Sequence, residues 1–347
     1  MLDGMAAWPP RRHLQELEEL RRVVDVAGAR LEVRSVCEVT DAGFRFPVYA
    51  LCLGNASLAV PAVGFFGGVH GLERVGTQVL LSFLDWLLAR LEWDERIQRL
   101  LTEIRLVFMP LVNPAGMSRH TRSNANGVDL MRNAPVQSRE RVAFLLGGQR
   151  LSRWLPWYRG ATDGPMEVES QALCQVVREE LLSRPFSLAL DCHSGFGLRD
   201  RIWFPYAHTR DPFAHLAEVH ALMALFGEEH PRYTYLFEPQ SRRYLTHGDL
   251  WDYLCADAAQ RGRVFLPLTL EMGSWRWIRK SPRQIWSRIG LFNPLPAERL
   301  QRVRRNHLSW LYFLWRAGQS YRQWLPVGET RAYHMRTGLA NWFSGGA

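Results

Sequence analysis

The sequence has no long apolar run, few cysteines and almost no lysine. No window approaches the roughly 18 consecutive apolar residues that indicate a membrane-spanning helix. The five cysteines are widely spaced and never form a Cys-x-x-Cys pair, which is typical of free thiols in a reducing compartment. The N-terminus also lacks the apolar segment and the cleavage site of a secretory signal. We therefore expect a cytoplasmic protein with no membrane partner.

Arginine supplies all but one of the 43 basic residues, which outnumber 34 acidic residues. A basic surface can attract nucleic acid, but the arginines are scattered and no zinc finger, RNP sequence or basic heptad region occurs. We therefore expect no nucleic-acid partner. The hydrophobic content of 47% is that of a globular chain. Because no linker, repeat or low-complexity segment interrupts the pattern, we predict a single domain over residues 1–347.

Short apolar runs alternate with amphipathic helical patterns along the chain. The runs that predict strands cover residues 31–39, 46–53, 60–66, 104–110, 186–191 and 263–270. Helical spacing occupies most of the segments between them, and a final helix is predicted near 297–317. This alternation predicts an α/β fold in which helices cover both faces of a largely parallel sheet. Pro267 indicates an edge strand or a bulge in the last run.

Four side chains with metal-binding or acid–base chemistry come at or just after the ends of predicted strands. His70 and Glu73 follow a Gly-Gly turn, and His193 and Glu271 follow later strands. In open α/β sheets this edge is where ligands bind. A catalytic zinc ion commonly has two histidines and one glutamate as its protein ligands. His70, Glu73 and His193 therefore form a candidate zinc site, although a His-x-x-Glu pair alone is a weak signal.

Two further motifs lie between these residues. The chain reads Asn-Pro-Ala-Gly at 113–116, and Arg-Ser-Asn-Ala-Asn-Gly-Val-Asp-Leu-Met-Arg-Asn at 122–133. With the His-x-x-Glu pair, the strand-end His-Ser and the strand-end Glu, their order resembles that of the zinc metallocarboxypeptidases, the carboxypeptidase A/B-like family, over about residues 45–290. The resemblance implies an α/β/α sandwich with a mixed, largely parallel sheet. We therefore predict that the single domain consists of an N-terminal extension at 1–40, a catalytic core at 45–290 and a C-terminal helix at 297–325.

The resemblance assigns the metal site first. His70, Glu73 and His193 would bind one Zn²⁺ per chain. Asp129 would orient a ligand histidine through a hydrogen bond, a support that metal-bound histidines usually have.

The resemblance also assigns catalytic and substrate-binding residues. Glu271 would act as general base and then as general acid, and Arg122 would stabilise the developing oxyanion. We prefer Arg122 to the nearby Arg119 for its spacing to Asp129. Arg132, with Asn133 beside it, would bind the terminal carboxylate of a peptide substrate, because a guanidinium group binds carboxylates through two parallel hydrogen bonds.

A mobile tyrosine of the family is the remaining catalytic assignment. Tyr244 is the candidate, while Tyr235 and Tyr253 compete with it. The implied function is zinc-dependent hydrolysis of the C-terminal peptide bond, or of a peptide-like amide bond, in a substrate with a free carboxylate.

One departure from the family pattern leaves alternatives open. Met131 stands where the family has an asparagine that helps the following arginine hold the carboxylate. A deacylase of the aspartoacylase or succinylglutamate desuccinylase type is therefore a second interpretation, and a catalytically silent binding module of the same fold is a third. The sequence makes no prediction of side-chain specificity or oligomeric state.

Overall fold

A computed structural model describes residues 14–232 and 235–344, so the first 13 residues of the expected N-terminal extension lie outside the described part of the chain. The described residues form one eight-stranded sheet. Its strands are β1 (Glu32–Asp41), β2 (Phe44–Gly54), β3 (Ala62–Gly67), β4 (Arg105–Met109), β5 (Phe186–Ser194), β6 (Arg201–Phe204), β7 (Leu236–Pro239) and β8 (Val264–Met272).

The sheet is mixed, with a parallel centre. Its strand order is β1-β2-β4-β3-β5-β8-β6-β7. The four central strands β4, β3, β5 and β8 run parallel to their neighbours in that group. On one side β2 pairs antiparallel with β4 and with β1, and on the other side β6 pairs antiparallel with β8. The predicted α/β class is confirmed.

Eleven α-helices occupy the described segments between and after the strands. They are α1 (Gln15–Ala27), α2 (Arg74–Leu91), α3 (Glu95–Thr102), α4 (Pro114–Arg119), α5 (Val168–Glu180), α6 (Leu216–Glu229), α7 (Leu250–Gln260), α8 (Trp275–Lys280), α9 (Ala297–Gln319), α10 (Tyr321–Trp324) and α11 (Gly328–Trp342). None of the helices in residues 14–232 and 235–344 combines the length and the apolar character needed to cross a bilayer.

The central strand β3 is covered by helices on both faces. Its side chains alternate between the faces, as in any strand. Phe65 packs edge-on against Phe83 of α2, whereas the next residue, Phe66, packs edge-on against Trp251 of α7. All six residues of β3 are buried. This two-sided burial explains why the sequence of β3 is an unbroken apolar run instead of an alternating one.

The structure corrects several details of the predicted elements. Strands β6 and β7, each of four residues, carry too little pattern to have been predicted. The helix expected at 297–325 ends at Gln319, and α10 and α11 follow it. Pro267 lies in β8, which is an interior strand. However, β6 pairs only with residues 269–271 of β8, so Pro267 lies beyond the end of β6 where that side of β8 is open.

Candidate metal and active site

The turn between β3 and α2 carries His70 and Glu73, and glycines let it fold tightly. Gly68 has a φ of 63°, in the left-handed region that favours glycine. Gly71 packs against another glycine, because a Cβ added to it would lie 2.1 Å from the carbonyl carbon of Gly116. Asn293, which the sequence analysis missed, accepts a hydrogen bond from Val75 N at 2.9 Å and steadies the start of α2.

The Asn-Pro-Ala-Gly motif supports the same turn. Asn113 caps α4 by accepting a hydrogen bond from Gly116 N, and its amide donates to the carbonyl of Val69. Its backbone N–H also donates to the carbonyl of Gly68. The motif therefore fixes the residue just before His70. None of these contacts involves the side chain of Ala115.

The side chains of His70, Glu73 and His193 converge at the carboxyl ends of the neighbouring strands β3 and β5. Their candidate ligand atoms all lie within 4.8 Å of one another, and all three residues are buried. The two Glu73 oxygens lie 2.9 Å from His70 Nδ1 and 3.0 Å from His193 Nδ1. The two Nδ1 atoms are 3.2 Å apart. Ser194 N donates to Glu73 Oε2 and fixes the carboxylate in this position.

A carboxylate holds the outer nitrogen of each histidine. His70 Nε2 lies 3.1 Å from Asp129 Oδ1, and His193 Nε2 lies 2.7 Å from Asp191 Oδ2. An ionised carboxylate can only accept, so each Nε2 carries the hydrogen in these contacts. In neutral imidazoles both Nδ1 atoms then present lone pairs toward each other and toward the carboxylate of Glu73.

This donor set fits a zinc ion. Two imidazole nitrogens and a carboxylate are a known zinc ligand set. Three electron-rich groups brought this close require a cation or extra protons between them. In the protein without metal, burial lowers the pKa of His193, but the charges of Asp191 and Glu73 outweigh burial and hold that pKa well above its usual value. A metal ion at this position would replace that proton.

Arg122 extends the same network toward the cavity. Its Nε donates to Asp129 Oδ2 at 2.8 Å, and its Nη1 donates to Glu73 Oε1 at 3.2 Å. Its Nη2 donates to no residue in the described part of the chain. The segment from Arg122 to Asp129 is shaped by Asn124, whose side-chain oxygen accepts hydrogen bonds from the backbone of Asn126 and Val128.

Glu271 faces the metal-ligand candidates from β8. It lies beside His193 in register, because β5 and β8 pair as parallel neighbours. Its Oε1 accepts a hydrogen bond from Phe196 N at 3.0 Å. Burial and the negative charge of Glu73 raise the pKa of Glu271 to about 8. A carboxyl group in this range can exchange a proton near neutral pH, as a general base and acid must.

Arg132 is a buried arginine that has no acidic partner among the described residues. It is 2% exposed, and its guanidinium donates to the carbonyls of Met131 and Leu146 over 3.2–3.5 Å. Tyr244 lies near it, with the guanidinium carbon 6.0 Å from the ring centre. Burial raises the pKa of Tyr244, so its hydroxyl stays protonated.

The three candidate metal ligands line one cavity of about 290 Å³ together with Arg122, Arg132, Tyr244 and Glu271. It is lined by His70, Glu73, Arg122, Met131, Arg132, Leu146, Trp157, His193, Ser194, Gly195, Phe196, Trp203, Gln240, Tyr244, Asp249, Thr269, Glu271 and Phe292. Asp129 is buried outside the cavity lining. It is connected to the site by its hydrogen bonds with His70 and Arg122.

The structure separates other candidates from the cavity. Asn133, expected to bind substrate, does not line it: its amide donates to the carbonyl of Arg159 and accepts from Glu167 N. Arg119 pairs with Asp41 instead. Of the competing tyrosines, Tyr235 bonds His307 and Tyr253 packs under Arg178.

Two acidic residues of the site were not predicted from the sequence. Asp191 stands two residues before His193 on β5, and this spacing, which puts both side chains on one face of the strand, was an available signal. Asp249 follows the Tyr244 segment at the start of α7 and lines the cavity. No spacing rule pointed to it.

Comparison with protein families and curated sequences gives the following matches. A family model described as zinc carboxypeptidase matches residues 36–262. Carboxypeptidase SOL1 of Arabidopsis thaliana is 40% identical over 79 residues, which are 23% of this chain and 16% of that protein. Carboxypeptidase Z of Mus musculus is 28% identical over 178 residues, which are 46% of this chain and 25% of that protein. The chain thus matches a quarter or less of the length of these relatives.

Solved structures share the fold. The crystal structure of thrombin activatable fibrinolysis inhibitor superposes with a TM-score of 0.58 at 18% identity, over 84% of this chain and 74% of that chain. Carboxypeptidase A from Helicoverpa armigera superposes with a TM-score of 0.56 at 18% identity, over 85% of this chain and 74% of that chain. Identities this low show a common fold and no more.

Proposed function

The chain belongs to the zinc carboxypeptidase family, and from this premise we propose that it is a zinc-dependent carboxypeptidase that hydrolyses the C-terminal peptide bond, or a peptide-like amide bond, of its substrate. One observation carries the proposal. A buried His-Glu-His donor set, a facing carboxyl group and a buried arginine, which has no acidic partner in residues 14–232 and 235–344, line a single cavity. Zinc-dependent hydrolysis next to a free carboxylate would use these groups together.

The donor set supports one zinc ion per chain, held by His70, Glu73 and His193. Zinc bound there would lower the pKa of a water molecule and polarise the carbonyl of the scissile bond. Glu271 takes a proton from the attacking water and returns it to the leaving nitrogen, because its carboxyl group exchanges protons near neutral pH.

Each of two arginines binds a different negatively charged group of the substrate. The Nη2 of Arg122, without a described partner, donates to the oxygen on which negative charge develops, while Asp129 and Glu73 hold the guanidinium in place. Arg132 binds the terminal carboxylate, which supplies the anion that this buried guanidinium lacks. Tyr244, protonated and beside Arg132, can donate a hydrogen bond to the substrate.

We test the proposal with mass spectrometry of the zinc-loaded protein and matched peptides with free or amidated C-termini. We expect removal of one residue from the free-acid peptides only. Glu271→Gln should lower kcat by roughly 10²- to 10⁴-fold, the contribution of general acid–base catalysis, with zinc still bound. Glu95→Gln, which changes an exposed glutamate, is the control.

Other outcomes would select the alternatives. Cleavage confined to N-acyl amino acids would indicate a deacylase and make Met131 the informative departure. No cleavage by a zinc-loaded protein would indicate a binding module. We also propose that the protein is cytoplasmic, because its widely spaced cysteines are typical of a reducing compartment. Cell fractionation would test this location.

A further inference from the structure

A surface next to the active-site cavity combines positive charge with exposed apolar side chains. It is formed by residues 275–288, which we call the basic segment and which include α8. The segment contains five arginine or lysine residues. No acidic residue occurs between Glu271 and Glu298, so the charge of this stretch of chain is of one sign.

Most charges of the basic segment have no acidic partner. Arg276 pairs with Asp200. The other four cations are exposed and form no ion pair with any described residue; these four unpaired cations are Arg279, Lys280, Arg283 and Arg288. Like charges this close in sequence repel one another, so an anionic partner would be favoured at this surface.

Large apolar side chains project among these cations. Trp286 is 89% exposed, its neighbour Ile285 is 54% exposed, and Trp275 is 48% exposed. An indole with nearly all of its surface in solvent stands out from the protein and does not line a groove. A group of large apolar side chains surrounded by charge marks a site of contact with a protein or a membrane.

The basic segment is anchored to the body of the protein. Trp277 is buried in the hydrophobic core. Gln284, which is also buried, donates from Nε2 to the carbonyl oxygens of Gly290 and Asn293 at 2.9 and 3.1 Å. The exposed apolar side chains are therefore presented by a packed segment, and a partner would not have to order it on binding.

The basic segment is also joined to the wall of the cavity. The backbone N–H of Trp275 donates to the carbonyl oxygen of Gly197 at 3.1 Å, and its indole Nε1 donates to that of Gly195 at 3.1 Å. Gly195 lines the cavity. A partner bound to the segment would therefore lie beside the active site.

The chemistry of this surface matches an anionic lipid bilayer better than an acidic protein. Peptide partners are commonly received in grooves or along sheet edges, whereas Trp286 projects outward. Tryptophan and aliphatic side chains flanked by lysine and arginine are typical of segments that lie in the bilayer interface. There the apolar groups enter the boundary between headgroups and acyl chains, and the cations contact anionic headgroups.

We propose that the basic segment binds the surface of an anionic lipid bilayer, with Ile285 and Trp286 entering the interface and the four unpaired cations contacting the headgroups. The sequence predicted no membrane partner because no apolar run could span a bilayer, but binding at a bilayer surface needs no such run. The cytoplasmic leaflet carries anionic lipids, which agrees with the cytoplasmic location proposed above.

Co-sedimentation of the full chain with vesicles tests the proposal. The vesicles contain phosphatidylcholine alone or an equal mixture of phosphatidylcholine and phosphatidylglycerol. We expect binding at least about 100-fold tighter to the mixed vesicles, because each cation near an anionic surface adds about 5-fold. This binding should weaken as salt rises from about 0.1 to 1 M, since the Debye length falls from about 10 to 3 Å.

A tryptophan variant measures the apolar contribution. Trp286→Ser should lower the partition coefficient for mixed vesicles by at least about 10-fold, the effect of losing one buried aromatic side chain. Trp93→Ser is the control, because Trp93 is also exposed but lies between Glu92 and Asp94. It should bind like wild type.

An arginine variant measures the electrostatic contribution. Arg283→Gln combined with Arg288→Gln should lower the partition coefficient by about 20- to 30-fold, at about 5-fold for each charge. Arg22→Gln combined with Arg99→Gln is the control. It removes the same charge from two exposed arginines that have acidic partners on α1 and α3, and it should bind like wild type.

Four results would overturn the inference. Wild-type protein that does not bind the mixed vesicles has no surface for anionic lipid. Unchanged binding by Trp286→Ser means that no indole enters the bilayer. Equal losses in the two arginine variants assign the binding to the net charge of the whole chain, formally +9. Binding to polyglutamate without binding to mixed vesicles assigns the basic segment to an acidic protein. None of these measurements depends on turnover, so their outcome is independent of the proposed function.

Discussion

The two histidines of the metal site have parallel surroundings. Each turns Nδ1 toward Glu73 and gives Nε2 to a buried carboxylate, Asp129 for His70 and Asp191 for His193. Asp191 in turn accepts a hydrogen bond from Trp251 Nε1 at 3.0 Å. Because the carboxylate fixes the tautomer, each imidazole is set to use Nδ1 as its ligand atom.

Asp191→Asn tests the value of this fixed tautomer. The amide can present its NH₂ group to His193 Nε2 and so favour the wrong tautomer, and it lacks the charge that raises the basicity of the ligand. We expect zinc affinity to fall by about 10- to 100-fold, measured by competition with a chromophoric chelator. Asp25→Asn, an exposed change on α1, should bind zinc like wild type. Equal affinity of all three proteins would show that Asp191 has only a packing role.

At this scale, the sequence could predict residues whose identity and order form a motif. The predicted residues that line the cavity are His70, Glu73, Arg122, Arg132, His193, Tyr244 and Glu271. Asn133, predicted to bind substrate beside Arg132, does not line the cavity, because its amide is engaged by Arg159 and Glu167. Asp249 could not be predicted, since its place in the cavity depends on how the segment around Gly248 packs against Arg132.

The helices and strands that the sequence predicted are those with a strong apolar signal, either a continuous apolar run or a helical repeat. Strand β3 and helix α2 were predictable because burial of a whole strand or of one helix face leaves a strong apolar signal. Four-residue strands such as β6 leave none, and α11 buries only two of its residues, so its pattern resembles that of a loop. Pro267 predicted an edge strand, and the structure places it in an interior strand, at a position that the short β6 does not reach.

Helix α9 carries a buried titratable group that makes stability depend on pH. His307 is 1% exposed, and its Nδ1 lies 2.7 Å from the hydroxyl of Tyr235. Its Nε2 has no hydrogen-bond partner among the described residues and lies 3.9 Å from Asp200, which is paired with Arg276. Burial lowers the pKa of His307 to about 4, and Arg276 adds to this while Asp200 opposes it. The folded protein therefore keeps His307 neutral.

The sign of the pH effect follows from this depressed pKa. An unfolded histidine takes up its proton near pH 6.5, whereas folded His307 does so only near pH 4. The neutral His307 therefore contributes to the free energy of unfolding above pH 6.5. This contribution, about 3 kcal/mol in total, is lost as the pH falls from 6.5 to 4. The free energy of unfolding, measured with urea across this pH range, should decline less steeply for His307→Asn than for wild type. Parallel declines would contradict the prediction.

At the scale of the whole molecule, the candidate metal site joins two neighbouring strands. His70 and Glu73 follow β3, His193 lies in β5, and these strands pair in parallel at the centre of the sheet. The turn that carries His70 is also tied to α4 through Asn113. A metal ion there would connect segments more than 100 residues apart in sequence, because 120 residues separate Glu73 from His193.

Removal of zinc should therefore lower the stability of the whole chain. The ligands come together only in the folded state, so metal binding adds to folding stability. At a free zinc concentration 100 times Kd, the gain is about 2.7 kcal/mol. Thermal unfolding should thus occur at a lower temperature after chelation and recover when zinc is returned. His193→Ala should show little response to either treatment, because one of the three ligands is gone. A wild-type melting temperature that is the same with and without zinc would mean that the three residues do not hold a metal ion.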